Sequence, residues 1–234
     1  VVVVVNLQSL GSCDSVQEYA DGGEYNPCGY EAEQHDRPHS SVPKVQNEMA
    51  LKVLAAAKAA GVPAALVLVH GGGMAIDELK EAADAIVDAH YPGEATGGPA
   101  VAGLLFGRFS PAGKLPYSLM PAAYDALSNF SAMSMTSAPG RSYRYYPSAS
   151  SEGGDEASEG EQAGAARGGE TLLPEVLFPF GFGLTYTEWA VAVSTAGADA
   201  GAAPAHSLVV TAPLPQTFTC TVKNTGSMDS AEVI

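Results

Sequence analysis

Within seven residues the chain brings together two glutamates, a histidine, an aspartate and an arginine, as Glu31-Ala-Glu33-Gln-His35-Asp36-Arg37. Carboxyl groups so placed suit general acid–base work, provided that burial or a neighbouring anion raises one pKa toward the working pH. An irregular extended loop is expected to turn Glu31 and Glu33 to opposite sides, which leaves one of them for chemistry. Asp36 and Arg37 suit a charge-assisted pair that fixes the loop; the alternative is an exposed ion pair of little energetic weight. His35 and the nearby His39 have two readings, solvated side chains or groups that touch substrate and tune the acid. A metal site is not expected here, because the ligands share one irregular loop without a helical His pair or a cysteine.

Three other clusters carry weaker signals. His70-Gly-Gly-Gly73 follows an apolar run but lacks the fingerprint and lysine of a phosphate-binding loop, and it reads as a tight strand-to-helix turn. Tyr143-Arg-Tyr-Tyr146 and Phe178-Pro-Phe-Gly-Phe182 read as packing aromatics, with stacking on a ligand the alternative for the first and joining of two modules the role of the second. Of three cysteines, Cys13 and Cys28 flank one polar loop; a disulfide and two buried thiols both fit, and the odd count leaves Cys220 over.

The elements that must position these residues follow an α/β pattern. Val1–Val5 is β-branched and apolar on both faces, as in a central strand of a parallel sheet. Asn6–Ser41 reads as one long loop, and long ordered loops are usually functional. A helix is predicted over Val45–Ala60, with Met49, Val53 and Leu54 at helical spacing and Gly61 as its stop. Ala65–Val69 is a second apolar strand. Ile76–His90 reads as a helix with Leu79, Ala83, Ile86 and Val87 inward, and Pro99–Phe106 as another. In open parallel sheets ligands bind on loops after the strands, which directs attention to the loop after the first strand. Residues 147–170 are Ser, Gly, Ala and Glu with almost no large apolar side chain and are expected to form a disordered acidic insertion. Strands at Ser207–Thr211 and Thr217–Val222 then suggest an all-β module, giving domains at 1–146 and 190–234 with a linker over 171–189.

Composition narrows the function classes. The chain has 234 residues, 46% of them hydrophobic, and a formal charge of −15. Such a charge repels nucleic-acid phosphates and anionic lipids, so neither nucleic acid nor membrane is an expected partner. Val1–Val5 is far too short to span a bilayer and lacks the flanks of a signal peptide. Because the chain opens inside a strand, it is expected to be a fragment of a longer polypeptide.

Several of these segments, in this order, resemble the C-terminal half of glycoside hydrolase family 3. Glu31–Arg37 is similar to that family's E-x-E-x-x-D-R loop. Tyr91-Pro-Gly-Glu94, Gly97-Gly98, Leu105-Phe-Gly107 and Pro111-Ala-Gly-Lys-Leu-Pro116 resemble its YPG, GG, LFG and P-x-G-x-LP run. Gly140-Arg-Ser-Tyr-Arg-Tyr-Tyr146, Phe178–Thr187 and Val222-Lys-Asn-Thr-Gly226 resemble its GRTYRYY, FPFGFGLSYT and first fibronectin-III-like segments. Ser128–Met135 resembles the plant-type β-xylosidase branch, with β-glucosidases the alternative. The resemblance implies a partial α/β sandwich with a mainly parallel sheet, followed by the start of a fibronectin-III-like module. It also implies a retaining, exo-acting hydrolase of oligosaccharides or polysaccharides, secreted or vacuolar, without cofactor or metal. Glu33 would be the general acid/base, with Glu31 the alternative; Asp36 and Arg37 would position the loop and His35 would bind substrate. The Asp nucleophile would lie on an N-terminal barrel that these residues do not contain, so the chain alone is expected to be inactive; the alternative is a non-catalytic carbohydrate- or partner-binding module. Two departures stand out: the first strand leads into Asn6-Leu-Gln8 rather than Gly-Leu-Asp, and the loop carries extra residues around Asp21–Gly29.

Overall fold

A computed structural model describes residues 1–7, 9–12, 17–18, 24–25, 31–33, 37, 39–129, 131–147, 173–195 and 218–233. They form two compact units, one of Val1–Gly98 with Leu115–Phe182 and one of Pro99–Lys114 with Gly183–Ile234.

The first unit is built on a three-stranded parallel sheet in the order β1 (Val2–Asn6), β6 (Ala65–Val69), β7 (Ala85–Asp88). Between β1 and β6 lie four short strands, β2 (Ser9–Ser12), β3 (Gln17–Glu18), β4 (Glu24–Tyr25) and β5 (Glu31–Glu33), and the helix α1 (Lys44–Ala59). The segment expected to be one loop therefore carries two small pairings, β2 with β5 in parallel and β3 with β4 antiparallel. The expected loop residues Cys13, Cys28, His35 and Asp36 lie outside the described residues, as do most of the acidic insertion and Ser207–Thr211.

Three packing details depart from the sequence reading. First, β1 stands at an edge of the described sheet, with Val3 and Val5 buried and Val2 and Val4 about half exposed. Branching of valine favours a strand of either kind; it does not say how many faces are covered. Second, α1 buries Ala50, Leu54 and Ala57, while Met49 and Val53 are exposed. Small alanines on the inward stripe let the helix approach the sheet closely. Third, the expected single helix over Ile76–His90 is helix α2 (Asp77–Ala82) followed by strand β7. Ala83 turns extended, the Asp84 amide donates to the Ala64 carbonyl, and the Asp84 carboxylate accepts from the Ala64 amide at 2.8 Å. The edge of β6 needs partners for its buried peptide groups, and Ala85–Asp88 supplies them.

Helix α1 stops as predicted. Gly61 sits at φ 65°, its amide donates to the Lys58 carbonyl and that of Val62 to the Ala57 carbonyl, so the last turn's free carbonyls are satisfied through a residue that left-handed backbone favours. Gln46 then fastens the helix to the end of β1, donating to the Asn6 carbonyl and accepting from the Asn6 amide, both at 2.8 Å. The core of this unit joins Val3, Val5 and Leu7 to Leu54, Leu66, Leu68 and Ile76, with Phe178 packed against it. Helix α4 (Ser142–Tyr145) ends at the buried Tyr146, whose hydroxyl donates to the Pro174 carbonyl, and Tyr143 stacks on Phe180 at 4.0 Å between centroids. Of these aromatic segments Tyr146 is buried and Phe178 packs on the core, whereas Tyr143, Tyr145, Phe180 and Phe182 are exposed, which corrects the expectation of packing throughout.

The second unit contains most of helix α3 (Gly97–Leu105) and an antiparallel pair, β8 (Trp189–Thr195) with β9 (Phe218–Asn224). Asn224 organises the turn beyond β9, accepting from Gly226 N–H at 3.0 Å and donating to the Met228 carbonyl at 2.9 Å. Lys114 bridges the Gly183 carbonyl and Glu232 at 2.9 and 3.0 Å. The predicted strand at Thr217–Val222 is present as β9, and Cys220 on it is an exposed free thiol. Among the described residues no helix is long and apolar enough to cross a membrane.

Candidate functional site

His70, Asp88 and His90 of the first unit gather where the parallel strands β6 and β7 end. The chain leaves β1 at Asn6 into the segment that contains Glu31 and Glu33, leaves β6 at Val69 into His70, and leaves β7 through Asp88 into His90. This is the edge at which open parallel sheets bind ligands.

Glu31 and Glu33 bound strand β5, in register with Ser9 and Ser12 of β2 across an irregularity in the pairing. The expectation of an irregular loop is therefore corrected: residues 31–33 form a short strand. Downstream, the segment is held by two clamps. Arg37 donates from Nη2 to the Gly73 carbonyl at 2.8 Å and reaches the Ser40 carbonyl at 3.5 Å. Asp125 accepts from the Ser40 amide at 2.7 Å and from the Ser40 hydroxyl at 2.9 Å, both on Oδ2. Arg37 thus has backbone carbonyls among its partners, while Asp36, its expected partner, and His35 lie outside the described residues. His39 is exposed.

The structure adds a second group that the sequence reading took for a plain turn. His70 is fully buried, and its Nε2 lies 3.1 Å from Asp88 Oδ1. Nδ1 has no hydrogen-bond partner among the described residues. His90 Nε2 lies 3.6 Å from the same Asp88 oxygen, and the Tyr117 hydroxyl donates to Oδ2 at 2.9 Å. Burial alone would raise the pKa of Asp88; the His70 imidazole, the Tyr117 hydroxyl and the His90 imidazole outweigh it and hold the carboxyl below its usual range. Burial, with the Asp88 charge and hydrogen bond, pushes the Tyr117 phenol far up. Close approach at this corner depends on Gly71, where a Cβ would sit 2.5 Å from Cε2 of Tyr91, whose hydroxyl donates to the Leu7 carbonyl at 2.8 Å.

A signal for this group was present. Ala65-Leu-Val-Leu-Val-His70 and Ala85-Ile-Val-Asp-Ala-His90 are aligned hexamers, each a strand running into a histidine, and the register pairs Ala65 with Ala85 through Leu68 with Asp88. Reading Ile76–His90 as one helix hid it.

Residues 1–186 match the glycosyl hydrolase family 3 C-terminal domain. The chain belongs to glycosyl hydrolase family 3. Within it, the chain is 35% identical over 162 residues to Beta-D-xylosidase 1 of Arabidopsis thaliana, covering 67% of this chain and 17% of that protein. It is 31% identical over 214 residues to Probable beta-glucosidase I of Aspergillus terreus, covering 88% of this chain and 21% of that protein. Among solved structures, it resembles a family 3 exo-beta-xylosidase in complex with a xylobiose aziridine activity-based probe, at a TM-score of 0.51 and 25% identity over 69% of this chain and 18% of the other. The chain thus spans about a fifth or less of the length of these family 3 relatives. The α/β fold with a parallel sheet is that of the family's C-terminal domain.

Proposed function

We propose that this chain carries the acid/base half of a retaining, exo-acting, β-xylosidase-like hydrolase that removes terminal β-linked xylose or a related sugar from oligosaccharides and polysaccharides. Glu33 donates its proton to the leaving glycosidic oxygen as the bond to the anomeric carbon breaks and a carboxylate of a companion barrel domain bonds to that carbon. Glu33, now ionised, then takes a proton from the water that releases the sugar. Retention needs the two carboxyl groups only about 5 Å apart, so the segment bearing Glu33 must be held firmly against its partner. The observation that carries the reading is the pair of clamps, Arg37 on Gly73 and Asp125 on Ser40, which fix the end of that segment at the carboxyl edge of the sheet. A companion domain closing over the edge would exclude water and add an anion, both of which raise the acid's pKa. Glu31 is the alternative acid; Asp36 orients the segment with Arg37, and His35 contacts the sugar. The reaction uses no cofactor. Residues 190–234 begin a fibronectin-III-like module, and the enzyme is secreted or vacuolar.

A β-glucosidase is the second reading, supported by the alignment to the Aspergillus protein, which covers more of this chain than the xylosidase alignment does. Kinetics of the full polypeptide on nitrophenyl β-xyloside and β-glucoside distinguish the two. E33Q is expected to lower kcat on substrates with poor leaving groups by roughly 10²–10⁴-fold and to spare the first step on dinitrophenyl glycosides, which need no protonation. The same pattern in E31Q, with E33Q unaffected, transfers the role to Glu31. Substantial retaining turnover by the 234-residue chain alone refutes a nucleophile on another domain.

A further inference from the structure

We infer that His70, Asp88 and His90 form a binding site for a divalent transition metal of the zinc class at the carboxyl ends of β6 and β7. Each offers one ligand atom, and these atoms all lie within 4.8 Å of one another. Around tetrahedral zinc, donors bonded at about 2.0–2.1 Å stand roughly 3.3–3.4 Å apart. The two spacings to Asp88 Oδ1, 3.1 and 3.6 Å, bracket that value before any ion has drawn the donors together. The remaining adjustment falls on His90, whose side chain is 39% exposed and able to move, whereas His70 is fully buried.

Three further observations favour an ion over a merely structural cluster. Nδ1 of His70 is buried without a hydrogen-bond partner among the described residues, while Nε2 faces Asp88 Oδ1, a costly arrangement for Nδ1 unless something else takes its lone pair. Tyr117 donates to Asp88 Oδ2, the outer hydrogen bond by which a ligating carboxylate is oriented, while Oδ1 faces both imidazoles and accepts the His90 amide at 3.3 Å. His90 is held at φ 48°, a left-handed conformation that non-glycine residues rarely adopt and that concentrates at functional sites. Two imidazoles with one carboxylate suit zinc and its neighbours in the first transition row better than calcium or magnesium, which prefer all-oxygen shells. The exposed side of His90 leaves an approach for the ion and a position for water. This inference is independent of the assignment of Glu33.

Calorimetric titration of zinc chloride into the metal-stripped 234-residue chain, with cobalt(II) absorption as a second readout, tests it. About one zinc per chain is expected, with cobalt bands of low coordination number. H90Q changes a partly exposed side chain and should weaken zinc by at least about tenfold, and Y117F should weaken it by about 10–100-fold. H39Q, outside the cluster, should leave it unchanged, and circular dichroism establishes that each variant is folded. Loss in H90Q alone supports the ligand set and removes Tyr117 from the outer shell. No zinc uptake by the wild-type chain, uptake unchanged in H90Q, or equal loss in H39Q overturns the site.

Discussion

Asp125 is the test of whether the glutamate-bearing segment is held as described. Its Oδ2 receives two bonds from a single residue, one from the Ser40 amide at 2.7 Å and one from the Ser40 hydroxyl at 2.9 Å, and both partners are partly buried. Hydrogen bonds to a charged group contribute about 1.5–3 kcal/mol each, and partial exposure puts these near or below the lower bound, so D125A should cost about 2–3 kcal/mol. S40A removes the hydroxyl bond and keeps the amide bond, at a cost of about 1 kcal/mol. Once Asp125 is gone the hydroxyl has no carboxylate to meet, so the double variant should cost little more than D125A, which leaves a coupling of about 1 kcal/mol. Urea unfolding of the four proteins measures the cycle. Hydrogen exchange gives a separate check, since the Ser40 amide should exchange faster in D125A and hardly change in S40A. If the two single costs simply add, within about 0.3–0.5 kcal/mol, the clamp as drawn does not exist in solution.

Other consequences are as definite. L66A, at a fully buried position of the central strand, should destabilise by about 2–5 kcal/mol, whereas V4A, on the half-exposed face of β1, should cost about 1 kcal/mol or less; denaturant midpoints at equal m-value decide. Burial, and secondarily Tyr124, raises the pKa of Tyr146, so the native state keeps this proton where the unfolded chain loses it. Its contribution is therefore complete below about pH 10 and is lost as pH rises beyond that, and Y146F should show a flatter alkaline limb in stability against pH. G71A should displace the Tyr91 ring and cost about 1–3 kcal/mol, with a smaller cost in a Y91F background if relief of that clash is shared with loss of the Leu7 hydrogen bond.

The fold was legible where one strong local signal coincided with its tertiary role. Ala65–Val69 is apolar throughout and became the central strand, and Gly61 ended α1 because no other residue type is as easily placed at φ 65°. Legibility failed where local chemistry admitted two answers. The residues from Ile76 to His90 contain apolar positions at helical spacing, and Ile86 and Val87 are equally good strand residues; the unpaired edge of β6 made the choice, and that edge is a property of the assembled sheet. For α1, helical spacing identified Leu54, but the rest of the inward stripe is alanine, which counts for little in a hydrophobic pattern and for much in how closely a helix can lie on a sheet.

The site divides along the same line. Glu31, Glu33 and Arg37 are neighbours in the chain, so their shared chemistry is visible without knowing the fold. His70 and His90 are twenty positions apart, and only a parallel pairing with that offset, Ala65 on Ala85 through Leu68 on Asp88, makes them neighbours in space. Given the pairing, their proximity is forced. Adjacent strands lie about 4.8 Å apart, and residues at the same level of two parallel strands stand side by side at that spacing. Continuing the register two residues past Leu68 and Asp88 sets His70 beside His90; the His70 amide donates to the His90 carbonyl at 3.2 Å, and the two rings are 5.0 Å apart between centroids. A variant that lengthens the connection before β7 without changing the register should therefore leave this pair intact. An insertion within Ala85–Asp88 should slide Asp88 and His90 together past His70, with loss of zinc binding even though every ligand type is still encoded.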